Sequence, residues 1–349
     1  MATQMLPLIR GSTSLVRAIL RFGPGQQRPV GAERYGIPLE RRTSARCAVL
    51  GRARTFCVGG DEHYAFVVAG REFCSGRGVR ETAAVPLSTA ALDALDAHVA
   101  YFRAFTQRGG GTVVDHGGIV SWHSLHPMGF LVNAVFRVDP AVAAAEVLKE
   151  ADRRFVAGYE VVTVADRDED LFDLAVRLGA HGENPDPIQV LADPSSVGKP
   201  TVPPSIELRT VTDVAGVADV ARVNGEATAM YGFPDDLFPT VFAKPASVLA
   251  DDIEAVVAYA SGQPVATAQV HFHGATAYVG WVATTAEAMR GGLGTLVTRD
   301  VIARAHLRGA STVSLMASPM GAPVYRRIGF SDVAWLRSAV RAPDAPWHT

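Results

Sequence analysis

The chain has 349 residues, 48% of them hydrophobic and 19% charged, a balance that excludes wholesale disorder and collagen-like or disulfide-scaffold architectures. At roughly 150 residues per domain, the length predicts two domains. The formal charge of −2 hides an asymmetry, because residues 1–85 carry 13 Arg, no Lys and 6 acids (+7), while 86–349 carry 20 basic residues and 29 acids (−9).

Cys47, Cys57 and Cys74 all fall in the basic stretch, with no CxxC pair and no His at ligand spacing, so neither a zinc site nor a disulfide framework is expected. A cysteine-free remainder fits a reducing compartment, and a cytoplasmic location is expected. Arg10, Arg17 and Arg21 interrupt every apolar run near the start, which argues against a secretory signal. The Arg-rich leader fits either an organelle transit peptide or GC-rich codon usage. Residues 1–85 show little periodicity and read as a poorly ordered arm; lacking interleaved aromatics, it predicts no nucleic-acid binding. The longest stretch without Asp, Glu, Lys or Arg runs from 255 to 286. Gln263, Pro264, Gln269, His271, His273 and Gly274 break it into strand lengths, so it predicts a β-meander and no membrane span.

From Ser88 to Phe105, Leu92, Leu95, Val99, Phe102 and Phe105 recur at three- and four-residue steps and predict an amphipathic helix that ends at Gly109–Gly111. Strands are expected at 112–114, 119–122 and 131–138, then a helix over 141–155, a strand at 160–164, a helix over 168–178 and a strand at 188–191. The Pro-, Ser- and Gly-rich segment 192–204 predicts a linker. A second series follows: strand 206–211, helix 214–231, a short helix from Pro234, strands 253–260, 265–272 and 276–283, helix 293–307, strand 313–317, helix 322–328 and terminal strands over 331–340. The order predicts an α/β chain in which antiparallel strands lead into a strand-loop-helix-strand unit.

Between a predicted strand and a predicted helix stand Arg290, Gly291, Gly292, Leu293, Gly294 and Thr295. Glycines let backbone N–H groups converge, and a helix N-terminus carries about half a positive charge, so this turn suits a phosphate. On the glycines alone it reads equally as a tight structural turn. A Rossmann fingerprint is excluded, because the turn comes late and reads Gly-Gly-x-Gly. Downstream, Ser318, Pro319 and Met320 lead into Tyr325, Arg326, Arg327, Ile328, Gly329 and Phe330.

These two motifs, in this strand order, resemble the GNAT family of acyl-CoA-dependent N-acetyltransferases, whose pattern is an Arg/Gln-x-x-Gly-x-Gly/Ala turn followed by Tyr-x-x-x-Gly-Phe. The resemblance covers Ile206 to Val340, with Met289 standing where Arg or Gln is usual and Arg290 one place later. It implies that Val282, Ala283 and Thr284 offer main-chain groups to pantetheine and the acetyl carbonyl, that Arg290 to Thr295 cradle the pyrophosphate, and that the strand at Val313 splays from its neighbour. Acetyl-CoA is then the co-substrate, no metal is implied, and a small-molecule or peptide amine is the acceptor. Tyr325 falls at the position of the general acid that reprotonates the CoA thiolate; read without the resemblance, it is equally a packing residue. His271 and His273, on one face of a strand, and Glu226 are candidates for the base. Asp235 and Asp236 either attract a cationic acceptor or cap the short helix.

Residues 86–200 resemble a degenerate copy of the same fold, with Asp168 to Gly179 matching the late helix and no phosphate turn. The expected architecture is therefore an arm at 1–85 and two tandem GNAT-like domains, 86–200 and 205–341, each a mixed, mostly antiparallel sheet flanked by helices. The expected activity is direct acetyl transfer to a primary amine in a ternary complex, the alternative being a non-catalytic acyl-CoA-binding module.

Overall fold

A computed structural model describes residues 86–128, 131–155, 158–229 and 232–341, together with four short strands nearer the start. Those strands, β1 (Leu20–Arg21), β2 (Val49–Leu50), β3 (Ala53–Cys57) and β4 (Tyr64–Ala69), pair antiparallel in the order β1-β4-β3-β2 within a unit spanning Met1–Thr82. The rest of the expected arm lies outside the described residues, as do Cys47 and Cys74.

Ala83–Thr349 form a second compact unit. It opens with α1 (Thr89–Arg108), capped by Ser88, whose Oγ accepts from the Ala91 N–H at 3.2 Å. Then come β5 (Thr112–His116), β6 (Ile119–His123), β7 (Asn133–Arg137), α2 (Ala144–Arg154), β8 (Tyr159–Val164), α3 (Glu169–Arg177), β9 (His181–Gly182) and β10 (Asp186–Leu191). The second series holds β11 (Ile206–Thr210), α4 (Val214–Thr228), α5 (Leu237–Val241), β12 (Ile253–Ala260), β13 (Gln263–His273), β14 (Thr276–Thr284), α6 (Leu293–Leu307), β15 (Thr312–Met316), α7 (Ala322–Ile328) and β16 (Ser331–Arg341). Helix α2 begins three residues later than the spacing predicts, because Asp139 and Pro140 hold the chain in a turn, with the Ala141 N–H bonded to Asp139 at 2.9 Å.

One sheet runs through both series in the order β11-β12-β13-β14-β15-β10-β16-β8-β7-β6-β5, with β9 beside β16. The two halves repeat a pattern. Each has three antiparallel strands, β12-β13-β14 or β5-β6-β7, then one parallel neighbour, β15 or β8, then a closing antiparallel strand. The closing strands are exchanged: β10 lies beside β15, while β16 lies beside β8, and the two pair with each other at the centre. The expected linker at 192–204 thus leaves a strand already embedded in the sheet of the second half. Pro194 and Val197 within it are buried.

Burial follows strand alternation. On one face of the second half, Val256, Ala258, Ala268, Val270, Ala277 and Val279 pack with Leu296, Val297, Val301 and Ile302 of α6. On the other, Ala255, Val257 and Tyr259 pack with Val217 and Val220 of α4 and Leu237 and Phe238 of α5. Helix α1 crosses the middle of the sheet, where Leu95, Val99, Tyr101 and Phe102 join Trp122 and Phe136 from one half to Ile188, Tyr278 and Leu336.

Candidate active site

Strands β14 and β15 are parallel neighbours only over Thr276–Tyr278 and Thr312–Ser314. Beyond Tyr278 they part, leaving main-chain groups of β14 without a partner strand on that side. The splay inferred for the strand at Val313 is present. Tyr278 sits at its apex, with its hydroxyl accepting the Met316 N–H at 3.2 Å and lying 2.9 Å from His98 Nδ1. The two contacts are compatible when the Tyr278 oxygen accepts from Met316 and its O–H donates to Nδ1. Burial lowers the His98 pKa to about 3, so the imidazole is neutral and its Nδ1 accepts.

Further along β14 the register slips against β13 between Thr267/Ala283 and Gln269/Gly280. This is a bulge at Trp281 and Val282, with Trp281 at φ 48°. Just before it, a Cβ on Gly280 would meet the Tyr101 hydroxyl at 2.5 Å, so only glycine lets α1 lie this close to the strand. Val282 and Thr284 are half-buried and Ala283 is buried. All three lie on the stretch of β14 that has left β15.

The chain then turns through Arg290 (φ 64°) and Gly292 (φ 79°) into α6. Gly292 is the cap, and no side chain hydrogen-bonds the helix start. The first helical N–H groups therefore have no intrahelical acceptor. Arg290, Gly291 and Gly292 are exposed, Gly294 and Thr295 are half-buried, and Leu293 is anchored in the core. The predicted cradle is an open, rigidly rooted helix N-terminus that fits a phosphate.

Tyr325 is on α7 across the splay, 8% exposed, edge-on to Phe330 with ring centroids 6.0 Å apart. Burial pushes its phenol above the ordinary value of about 10, so the hydroxyl carries its proton at neutral pH, as any tyrosine does.

The other candidates separate sharply. Glu226 is exposed and pairs with Arg222 at 3.8 Å, on the α4 turn whose Val223 and Ala227 pack against Ala283. His273 is exposed at the hairpin end of β13. His271 is buried and its Nε2 lies 2.9 Å from Asp252 Oδ2, while its Nδ1 has no partner. Asp236 stands at the cap of α5 but makes no capping bond; it lies 3.2 Å from Nε2 of His126 instead.

Four residues at the site escaped the sequence: His98 and Tyr101 of α1, Gln269 of β13 and Tyr278. The two on α1 lie next to its apolar stripe and carry no motif of their own. What marks them is tertiary, since α1 belongs to the first half yet lies on β14. Beside them a small apolar recess of about 10 Å3, room for no more than about one water, lies at the end of α1. It includes Phe102, Phe105, Leu125, Leu131 and Val241, and Phe105 also packs on Trp281 at 5.2 Å.

The matching place in the first half is plugged. Where β7 ends beside the β8–α3 turn, buried Arg137 donates to Asp168 at 2.8 Å and to Asp170 at 2.6 Å. A third bond reaches the Val142 carbonyl ahead of α2 at 3.1 Å. Asp168 also accepts from the Val164 N–H and from Arg167. That ion cluster occupies the ground between the strand ends that the second half leaves open, and the 138–143 turn before α2 has no glycine.

Among the described residues no cluster of three metal-ligating side chains occurs, and no helix is long and apolar enough to cross a membrane.

A model of the acetyltransferase (GNAT) domain matches residues 204–327. No curated protein matches the chain. Among solved structures, a GCN5-related N-acetyltransferase from Kribbella flavida is similar with a TM-score of 0.54 at 20% identity, over 73% of this chain and 96% of that one. A conserved protein of unknown function from Staphylococcus epidermidis is similar with a TM-score of 0.51 at 16% identity, over 66% and 94%. At such identities the likeness is one of fold, and it spans both halves. With the splayed strands, the glycine turn into α6 and Tyr325 all inside the matched segment, the chain carries at residues 204–327 a domain of the GNAT acetyltransferase family.

Proposed function

We propose that the protein transfers an acetyl group from acetyl-CoA to a primary amine in a direct ternary complex. The observation that carries this reading is the meeting of three features: the parting of β14 from β15 after Tyr278, the uncapped start of α6, where a Cβ on Gly294 would meet Thr284 Oγ1 of β14 at 3.4 Å, and the buried Tyr325, near enough to Tyr278 to act on it electrostatically.

Acetyl-CoA supplies the acyl group activated as a thioester. In this reading Arg290 and the N–H groups from Gly291 to Thr295 hold the pyrophosphate, with the helix dipole adding to the attraction. Val282, Ala283 and Thr284 offer main-chain groups to the pantetheine amides and the acetyl carbonyl. Tyr325 donates its proton to the departing thiolate, which at a pKa near 8.5 needs only modest help. The exchanged strands make the first half a structural partner in a tandem GNAT arrangement.

The test is thermal shift and calorimetry with acetyl-CoA, followed by thiol release over a panel of primary amines. Binding with CoA release supports the proposal; binding with no release on any amine returns the protein to the acyl-CoA-binding alternative.

A further inference from the structure

Resting on the acetyl-transfer reading, we propose that His271 is the proton acceptor for the incoming amine, with Asp252 as its positioning residue. Three observations carry the assignment. The His271 side chain is 4% exposed, yet its Nδ1 is buried with no partner, which is costly unless something comes to use it. Its Nε2 is fixed 2.9 Å from Asp252 Oδ2, so the Nε2–H tautomer is favoured and Nδ1 is left as the basic lone pair. Asp252 is itself held by Arg108 of α1 at 2.6 Å. Burial works against the Asp252 charge, but the bonds from Arg108 and His271 outweigh it and hold the carboxyl below the usual range, so the orienting group stays ionised.

The imidazole also lies on the correct face. His271 is paired across the strands with Tyr278 at the apex of the splay, and Gln269, two residues before it, is paired with Gly280 next to the bulge. Tyr101 covers this ground: its ring is edge-on to His271 with centroids 5.9 Å apart, and its hydroxyl donates to Gln269 Oε1 at 3.4 Å. Gln269 Nε2 is another buried atom without a partner. Under α1 there is thus a polar track from the bulge to His271, and Asp252 at its far end is 38% exposed, a route for the proton to solvent.

The protons balance. The substrate ammonium gives one proton to His271 Nδ1, which passes it to solvent. The freed nitrogen pair forms the C–N bond, the C–S bond breaks with its electrons going to sulfur, Tyr325 protonates the sulfur, and the second proton lost by the nitrogen restores the phenol. The charged and titratable groups facing His271 are Asp252 from the turn before β12, Arg108 and Tyr101 from α1, His273 from β13 itself and Tyr278 from β14. Burial lowers the His271 pKa, Arg108 and His273 add to this and Asp252 opposes it, so the imidazole is held toward its neutral form.

Two probe amines separate this role from a structural one: benzylamine, an ammonium ion at neutral pH, and aniline, already a free base. In His271→Asn, kcat/KM for benzylamine should fall roughly a hundred-fold at neutral pH and its pH profile should follow the ionisation of the amine itself, while aniline changes by about two-fold or less. Asp252→Asn, which keeps the packing, should show the same split at smaller size. Acetyl-CoA affinity by calorimetry should match wild type in both variants. Equal losses on the two amines, or no loss on either, overturn the assignment while leaving the transferase reading intact. A wild-type protein that binds acetyl-CoA and releases CoA with no alkylamine or arylamine overturns the transferase reading, and the role of His271 with it.

Discussion

At Tyr325 the ring and the hydroxyl have separable jobs. The ring fills core between α7 and Phe330, whereas the hydroxyl bears on chemistry, so Tyr325→Phe should fold normally and lose about a hundred-fold in kcat with little change in the KM for acetyl-CoA. Unchanged kcat across pH would leave Tyr325 a packing residue. A different residue sets how stability varies with pH. Burial, reinforced by Asp186 and Glu183, lifts the Glu160 carboxyl to about 7 against the opposing bonds from Ser338 and the Leu131 N–H. Its folded pKa lies above its unfolded one, so the native state holds the extra proton; the contribution is complete below about pH 4.5 and disappears as pH rises through 7. Glu160→Gln should therefore raise the melting temperature at pH 8, by an amount on the order of 3 kcal/mol in stability, and leave it nearly unchanged at pH 4.

Among the elements, the contact between α1 and β14 is the most exacting. Gly280→Ala puts a methyl group 2.5 Å from the Tyr101 hydroxyl, which α1 can relieve only by moving off the strand. A loss of about 1–3 kcal/mol is expected by chemical denaturation. At the start of α6, Gly292→Ala meets no neighbour but must adopt φ 79°. The strain is about 1 kcal/mol, and weaker acetyl-CoA binding in calorimetry should accompany it. In the first half, Arg137→Met leaves buried Asp168 with Arg167 as its remaining cationic partner, so the loss in stability should be smaller than that of a fully orphaned charge, about 3–5 kcal/mol; acetyl-CoA affinity at the other site should hold.

Most of these elements were legible in the sequence, because α1 and α6 each announce a buried face by period, while the β12–β14 meander, buried on both faces, is largely an uncharged run cut to strand lengths by residues such as Gln263, Pro264 and Gly274. The glycine turn and the Tyr325 motif were legible too, being contiguous in the chain. What stayed hidden was assembled from distant parts. Nothing local to His98 or Tyr101 says that their helix will lie on β14, 180 residues away. Nothing in the run from His271 to Thr276 says which of two histidines is buried, since the difference lies in Asp252 and Arg108.

For the whole molecule, the exchange of β10 and β16 makes each half incomplete alone. A fragment of residues 204–341 would lack the strand that covers β15, and 83–203 would lack the one beside β8, exposing unpaired edges in both. Each fragment should be unfolded or aggregated when made separately, by circular dichroism and gel filtration, and the two made together should assemble into one folded species. Two well-folded separate fragments would contradict the pairing.

The same exchange decides how the protein can be dismantled. A cellular unfolding machine pulling from the C-terminal side draws out β16 first, and that strand is hydrogen-bonded to β10 on one side and β8 on the other. Removing it opens both halves in one event, so degradation from that end should run without a surviving half-size product.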